Sequence, residues 1–81
     1  MTDDEIAKKV FSMVAERMDV EENRITPDTH FVNDLQADSL DRAELVIDME
    51  EAFGLQISDE DAQKIETVGQ AIKYIQEHKK S

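Results

Sequence analysis

Apolar residues recur at helical spacing in three stretches of the chain, and a fourth, shorter stretch carries a helix-start signal. Ile6, Val10, Met13, Val14 and Met18 lie three or four positions apart, which places them on one face of a first helix. Thr2 and Glu5 have the spacing of a capping box at its start, and the pattern ends near Met18 or Asp19. A second helix is predicted from Ser39 to Phe53, with Asp38 as N-cap and Gly54 just past its end. Ser58 and Asp61 open a short third segment, roughly residues 59 to 65. Thr67 and Gln70 give a second capping box, and Val68, Ala71, Ile72 and Ile75 form the inner stripe of a last helix reaching about His78. Lys79 and Lys80 suit the negative end of its dipole. Residues 19 to 38 break the period. Turn residues there surround isolated Val20, Ile25, Phe31 and Leu35, and Pro27 disfavours helical geometry at Thr26. The expected fold is all-α: a four-helix bundle with a long first loop and one short helix, in a single domain spanning residues 1–81.

The second helix carries more apolar residues than one buried face needs. At 100° per residue, Leu45, Val46, Met49 and Phe53 share one side and form the core stripe. Leu40, Ala43 and Ile47 fall on roughly the opposite side, with Glu44 and Glu51 beside them and Asp41, Asp48 and Glu50 on the flanks. An apolar strip rimmed by carboxylates has the character of a docking surface. The plainer alternative is that Leu40 folds back over the loop and Ile47 is a lone surface residue, which is common.

Charge then narrows the possible partners. The 81 residues include 9 Lys and Arg against 20 Asp and Glu, a net charge of −11. Nucleic acid and anionic membranes are excluded as partners, because phosphate recognition requires a positive surface. Partners with basic patches are favoured, steered by a field that salt weakens. Solubility alone is the bland explanation of such acidity. Disorder is a second, and the 40% hydrophobic content and the periodic pattern argue against it. The chain has no cysteine, hence no disulfide and no thiolate metal site. No apolar run approaches the roughly 20 residues that span a bilayer. The opening MTDDEI is acidic where a secretory signal is basic, so a cytoplasmic location is expected, and the chain is expected to be a monomer.

Ser39 is the one residue at the start of the second helix with nucleophilic chemistry available to it. A catalytic serine needs a base within hydrogen-bond reach and donors for an oxyanion. Neither His30 nor His78 has a reason in sequence to approach it, and Asp38 and Asp41 would repel the oxyanion. No G-x-S-x-G turn is present, and together these features argue against a self-contained hydrolase. SDEDAQKIETVG lacks the alternating ligands and central glycine of a calcium loop. Ser39 is therefore either a residue chosen for the helix start or a hydroxyl modified by another enzyme.

Residues 35–54 resemble the acyl carrier protein family. Asp38-Ser39-Leu40 matches its D-S-L motif, and Asn33-Asp34-Leu35-Gln36-Ala37 matches the usual E/N-D-L-G-A approach. Downstream, Asp41, Glu44, Leu45, Val46, Glu50, Glu51 and Phe53 match D-x-x-E-L-V-x-x-x-E-E-x-F, and the similarity runs on through ISDEDAQKIETVGQAIKYI. The resemblance implies a 4'-phosphopantetheine arm on Ser39, flanked by Asp38 and Leu40, installed from coenzyme A by a phosphopantetheinyl transferase. It implies acyl cargo held as a thioester, most simply in fatty acid synthesis, with no catalysis by the chain itself. It also implies that Asp41, Ala43, Glu44, Ile47, Asp48 and Glu51 meet acyl-processing enzymes through basic patches on those enzymes. Three positions depart from the family pattern. Gln36 replaces a glycine, which costs energy if the site needs positive φ. Arg42 replaces a small residue near the core stripe, where its stem is expected to lie on apolar surface with the charge reaching out. Asp48 replaces a small or apolar residue. These departures keep open a specialised carrier for polyketide, peptide or modified-lipid synthesis. An unmodified acidic interaction module is the alternative of another class.

Overall fold

The computed structural model describes residues 2–78, so the expectation for Lys79 and Lys80 lies outside the described residues. Helix α1 spans Asp3–Met18, α2 Ser39–Phe53, α3 Asp59–Lys64 and α4 Val68–His78. All four starts use the predicted caps. Thr2 Oγ1 accepts the Glu5 N–H at 3.2 Å while a Glu5 carboxylate oxygen accepts the Thr2 N–H at 3.1 Å. Hydrogen bonds to the Glu5 carboxylate, from the Thr2 N–H as the main cause and then from the Thr2 hydroxyl, draw its carboxyl below the ordinary range. Ser58 Oγ accepts from the Asp61 N–H at 3.1 Å. Thr67 and Gln70 bond reciprocally, and the Gln70 side chain also accepts the Glu66 N–H at 2.6 Å. Helices α1 and α2 both stop on a left-handed residue, Asp19 at φ 57° and Gly54 at φ 64°. The short helix ends at Lys64 rather than residue 65, because Ile65 turns to extended backbone as its cap.

The core gathers the predicted stripes. Ile6, Val10 and Val14 of α1 meet Leu45 and Met49 of α2 and Val68, Ala71, Ile72 and Ile75 of α4. Met13, Met18, Val46 and Phe53 pack half-buried at its margin. Helix α3 buries no side chain of its own. It hangs between Leu55 and Ile57 on one side and Ile65 on the other, all three buried.

The long first connection is ordered, and it is less irregular than its sequence implies. A 3-10 turn forms at Glu22–Arg24, and Ile25, Thr29, Phe31 and Ala37 are buried. Backbone bonds stitch it to the start of α4: Val68 N–H to the Thr29 carbonyl at 3.0 Å, Phe31 N–H to the Glu66 carbonyl at 3.0 Å, and Gly69 N–H to the Pro27 carbonyl at 2.8 Å. His30 and Thr67 form an isolated antiparallel bridge there. The glycine at 69 is required by this approach, since a Cβ there would stand 2.8 Å from the Pro27 carbonyl oxygen. His30 organises the following turn. Its Nδ1 accepts the N–H groups of Val32 and Asn33, both at 3.1 Å, which leaves Nε2 as the protonated nitrogen facing Glu66 at 3.3 Å. The connection therefore delivers residues 36–39 to a fixed place at the head of α2.

Candidate functional site

Ser39 is the first residue of α2 and is exposed. Its hydroxyl has no hydrogen-bond partner among the described residues. The capping role falls instead to Asp38, as the sequence predicts. Asp38 Oδ1 accepts the Asp41 N–H at 2.8 Å, and Asp41 Oδ2 accepts the Asp38 N–H at 3.3 Å. Two carboxylates thus close the capping box that Ser39 itself does not serve. The serine side chain stays free for chemistry outside the helix.

Just before this point the backbone is strained. Gln36 sits at φ 57°, in the left-handed region. The sequence-based condition is met: this site needs positive φ, and a side chain there bears the steric cost.

Helix α2 presents two faces. Leu45 and Met49 are buried, while Leu40 is 66% exposed and Ile47 51% exposed, and Ala43 is exposed between them. Leu40 does not fold back over the loop. Among the described residues, Val32, at 43% exposure, is the other large apolar side chain left open to solvent. Glu51 is also exposed. Glu44 and Asp48 are placed differently from expectation, because both are engaged by Arg17 of α1. The Arg17 guanidinium donates to both oxygens of Asp48, at 2.8–3.0 Å, and to one oxygen of Glu44 at 2.7 Å. Asp48, by these hydrogen bonds, holds Arg17 still more firmly in its charged form. Sequence spacing missed this clamp, since its members lie 27 and 31 residues apart. One signal was available: two like charges at i and i+4 disfavour a helix unless a cation joins them.

Beside Ser39 a pocket of about 640 Å³ opens between α2 and α3. That volume falls within the range of small-ligand sites, about 300–1,000 Å³. Phe31, Leu45, Val46, Met49, Ile57 and Ile65 supply much of its wall, and Ser39 and Arg42 stand in its lining. Arg42 departs from expectation. Its guanidinium turns to the α3 end of the pocket and donates to the Ile65 carbonyl at 3.4 Å, a long bond. Glu50, Asp59 and Gln63 complete the polar part of the wall. None of Ile57, Asp59, Gln63 or Ile65 was singled out as a site residue from the sequence, because only the folding back of α3 brings them opposite Ser39.

A helical bundle with a free serine at a helix start, beside an apolar pocket, has the geometry of a carrier domain. The family described as a phosphopantetheine attachment site matches residues 8–75, and the chain belongs to it. Over 78 residues it is 49% identical to an acyl carrier protein of Lactobacillus johnsonii, covering 96% of this chain and 98% of that one. It is 47% identical over 78 residues to an acyl carrier protein of Rubrobacter xylanophilus, covering 96% of each. Its fold superposes on a solved acyl carrier protein from Enterococcus faecalis with a TM-score of 0.80 at 44% identity, covering 93% of this chain and 95% of that one. The chain is therefore a phosphopantetheine-bearing acyl carrier, whose typical role is in fatty acid synthesis. Proteins of this family carry acyl chains to acyl-processing enzymes. Among the described residues no helix is long and apolar enough to cross a membrane.

Proposed function

We propose that Ser39 is the point at which 4'-phosphopantetheine is attached and that the whole chain, residues 1–81, acts as one cytoplasmic, monomeric carrier domain for fatty acid synthesis. The observation that carries this reading is the exposed Ser39 hydroxyl, unbonded at the head of α2 while Asp38 does the capping. The residues present fit a phosphodiester-linked arm. The hydroxyl is accessible to a transferase, the first turn of α2 offers backbone N–H groups and a favourable dipole to an anion, and Arg42 stands on the adjacent wall. Asp38 and Asp41 oppose the phosphate and serve partner recognition instead. When bound, the arm supplies a terminal thiol that holds an acyl chain as a thioester.

The chain's own part is to position, shelter and present. The pocket between α2 and α3 excludes water from an apolar tail, and each methylene moved into it gains about 0.8 kcal/mol. Leu40, Ala43 and Ile47 form the apolar strip against which a partner packs. Asp41 and Glu51, with the one Glu44 oxygen that Arg17 does not engage and with Asp48 where a partner displaces Arg17, attract basic patches on the transferase and on acyl-processing enzymes. Such charges accelerate encounter more than they tighten the complex, which suits a shuttle that must release its cargo. No bond is made or broken by the chain itself on this reading.

The test is intact mass after incubation with coenzyme A and a phosphopantetheinyl transferase. The wild-type chain gains one phosphopantetheine and Ser39→Ala gains none. A wild-type chain that remains unmodified, under conditions that convert another acyl carrier protein, overturns the assignment. Ile47→Glu checks the docking strip: the fold persists and binding to the transferase falls.

A further inference from the structure

We propose that His30 is a positioning residue for the modification of Ser39: its neutral imidazole, accepting hydrogen bonds at Nδ1, holds the turn that presents the serine, and charging the ring releases that turn. The inference rests on the reading of Ser39 as the attachment point and deepens it.

Every polar atom of His30 is engaged, and all but one of these bonds stay within the segment that leads to Ser39. Its N–H donates to Asp34 Oδ2 at 2.7 Å, and its carbonyl accepts the N–H groups of Asp34 at 2.9 Å and Leu35 at 3.1 Å. Nδ1 accepts from Val32 and Asn33, and Nε2 faces Glu66, just ahead of α4. The residues fixed in this way pass the order on. The Val32 carbonyl accepts the Gln36 N–H at 3.0 Å, and the Phe31 carbonyl accepts the Ala37 N–H at 2.8 Å, two residues before the serine. Gln36, at φ 57°, is the strained link in this series. Such a residue persists only where its surroundings over-determine it. Val32 both holds Gln36 and is held by His30.

Only an uncharged ring serves here, because an imidazolium carries a proton on each nitrogen and accepts nothing. Two carboxylates face His30: Asp34 on its own turn and Glu66 ahead of α4. Both attract a charged ring, but neither supplies an acceptor to the Val32 and Asn33 N–H groups. Charging therefore exchanges two backbone bonds for an ion pair with Glu66, whose side chain is exposed, and an exposed pair is worth little. With the turn released, a transferase meets Ser39 in its presented geometry for a smaller fraction of the time. That fraction divides the affinity, so the effect falls on KM more than on kcat.

The test measures initial rates of phosphopantetheine transfer from coenzyme A to the unmodified chain. Each variant is set against wild type at the same pH, so that the transferase's own pH dependence cancels. His30→Leu keeps the bulk and removes the acceptor. His30→Asn puts an amide oxygen where Nδ1 stands, accepts the same N–H groups in the manner of an Asx turn, and takes up no proton. At about pH 8, His30→Leu shows a KM about tenfold higher with kcat little changed, and His30→Asn matches wild type. At about pH 6, where histidine charges, wild-type efficiency falls about two- to fivefold below that of His30→Asn. Nitrogen NMR of the wild-type ring reads the same claim without any variant: at about pH 8 the proton sits on Nε2 and Nδ1 is bare. A proton on Nδ1 overturns the inference. So does a ratio of wild type to His30→Asn that is the same at both pH values, or a folded His30→Leu that is modified like wild type. Should His30→Leu fail to fold, the Asn comparison and the ring spectrum still decide. A wild-type chain that is modified at neither pH overturns the Ser39 reading instead.

Discussion

Two single residues carry costs or bonds large enough to measure. Gln36 holds φ at 57°, which glycine adopts without penalty and a side chain does not. Gln36→Gly relieves that strain and gives back part of the gain as extra freedom in the unfolded chain. The expected net is a stabilisation of about 0.5–1 kcal/mol, read as a higher urea midpoint with an unchanged slope. A lower midpoint would mean that the Gln36 side chain makes contacts worth more than its strain. Tyr74 gives a pH prediction. Its hydroxyl donates to Asp61 at 2.9 Å, and its ionisation is pushed up, first by burial, then by that bond and by the charges of Asp61 and Glu50. A group whose folded value is raised contributes its stability in full below its unfolded value, about 10 for tyrosine, and loses it as pH climbs through the folded value. The wild type is thus more stable than Tyr74→Phe at pH 8, by about 1 kcal/mol, and the gap narrows as pH rises beyond about 10. Parallel curves for the two proteins across that range would show that the phenol plays no part. The stacking of the ring on His78, with centroids 4.0 Å apart, survives in the Phe variant and so drops out of the comparison.

Among the elements, the helices were legible and the links between them were not. Caps at Thr2, Asp38, Ser58 and Thr67, with stripes at helical spacing, are local signals, and all of them hold in the structure. The exposed strip of α2 was legible too, because one helix in a small bundle cannot bury two faces. What escaped depends on residues far apart in the chain: Arg17 reaching Glu44 and Asp48, Arg42 reaching Ile65, and the loop pairing with residues 66–69. The Arg17 clamp changes how α2 meets a partner. It occupies three of the four carboxylate oxygens of Glu44 and Asp48 and lowers their joint charge to a net −1. A basic partner must compete with it in the middle of the strip, while Asp38 and Asp41 at the Ser39 end form no ion pair with it. Arg17→Gln frees both carboxylates. The expected result is a two- to fivefold faster association with a basic transferase at low salt, fading as ionic strength rises. Stability changes little, since the pair is largely solvated. An unchanged association rate in a folded variant would place Glu44 and Asp48 outside the docking path.

At the scale of the molecule, the four helices are not equally anchored, and the difference falls where the cargo is proposed to enter. Helices α1, α2 and α4 each bury side chains in the common core, while α3 buries none of its own six residues and is tethered by Leu55, Ile57 and Ile65 outside it. Local opening is easiest where few apolar contacts must break. Helix α3 can therefore swing from α2 while the α1–α2–α4 core stays closed, and it forms one wall of the 640 Å³ pocket. An acyl tail in that pocket supplies the apolar contacts that α3 lacks, at about 0.8 kcal/mol per buried methylene. Ligand bound to the folded state alone raises its stability, so the effect grows with chain length until the pocket is filled. Amide hydrogen exchange reads this directly. Residues 59–64 exchange fastest among the four helices before loading, and they slow with each added pair of carbons, while the amides in the middle of α1 and α4 change little. Uniform slowing across all four helices would place the tail in the central core. No slowing at all would mean that the chain stays in solvent and that the pocket does not shelter it.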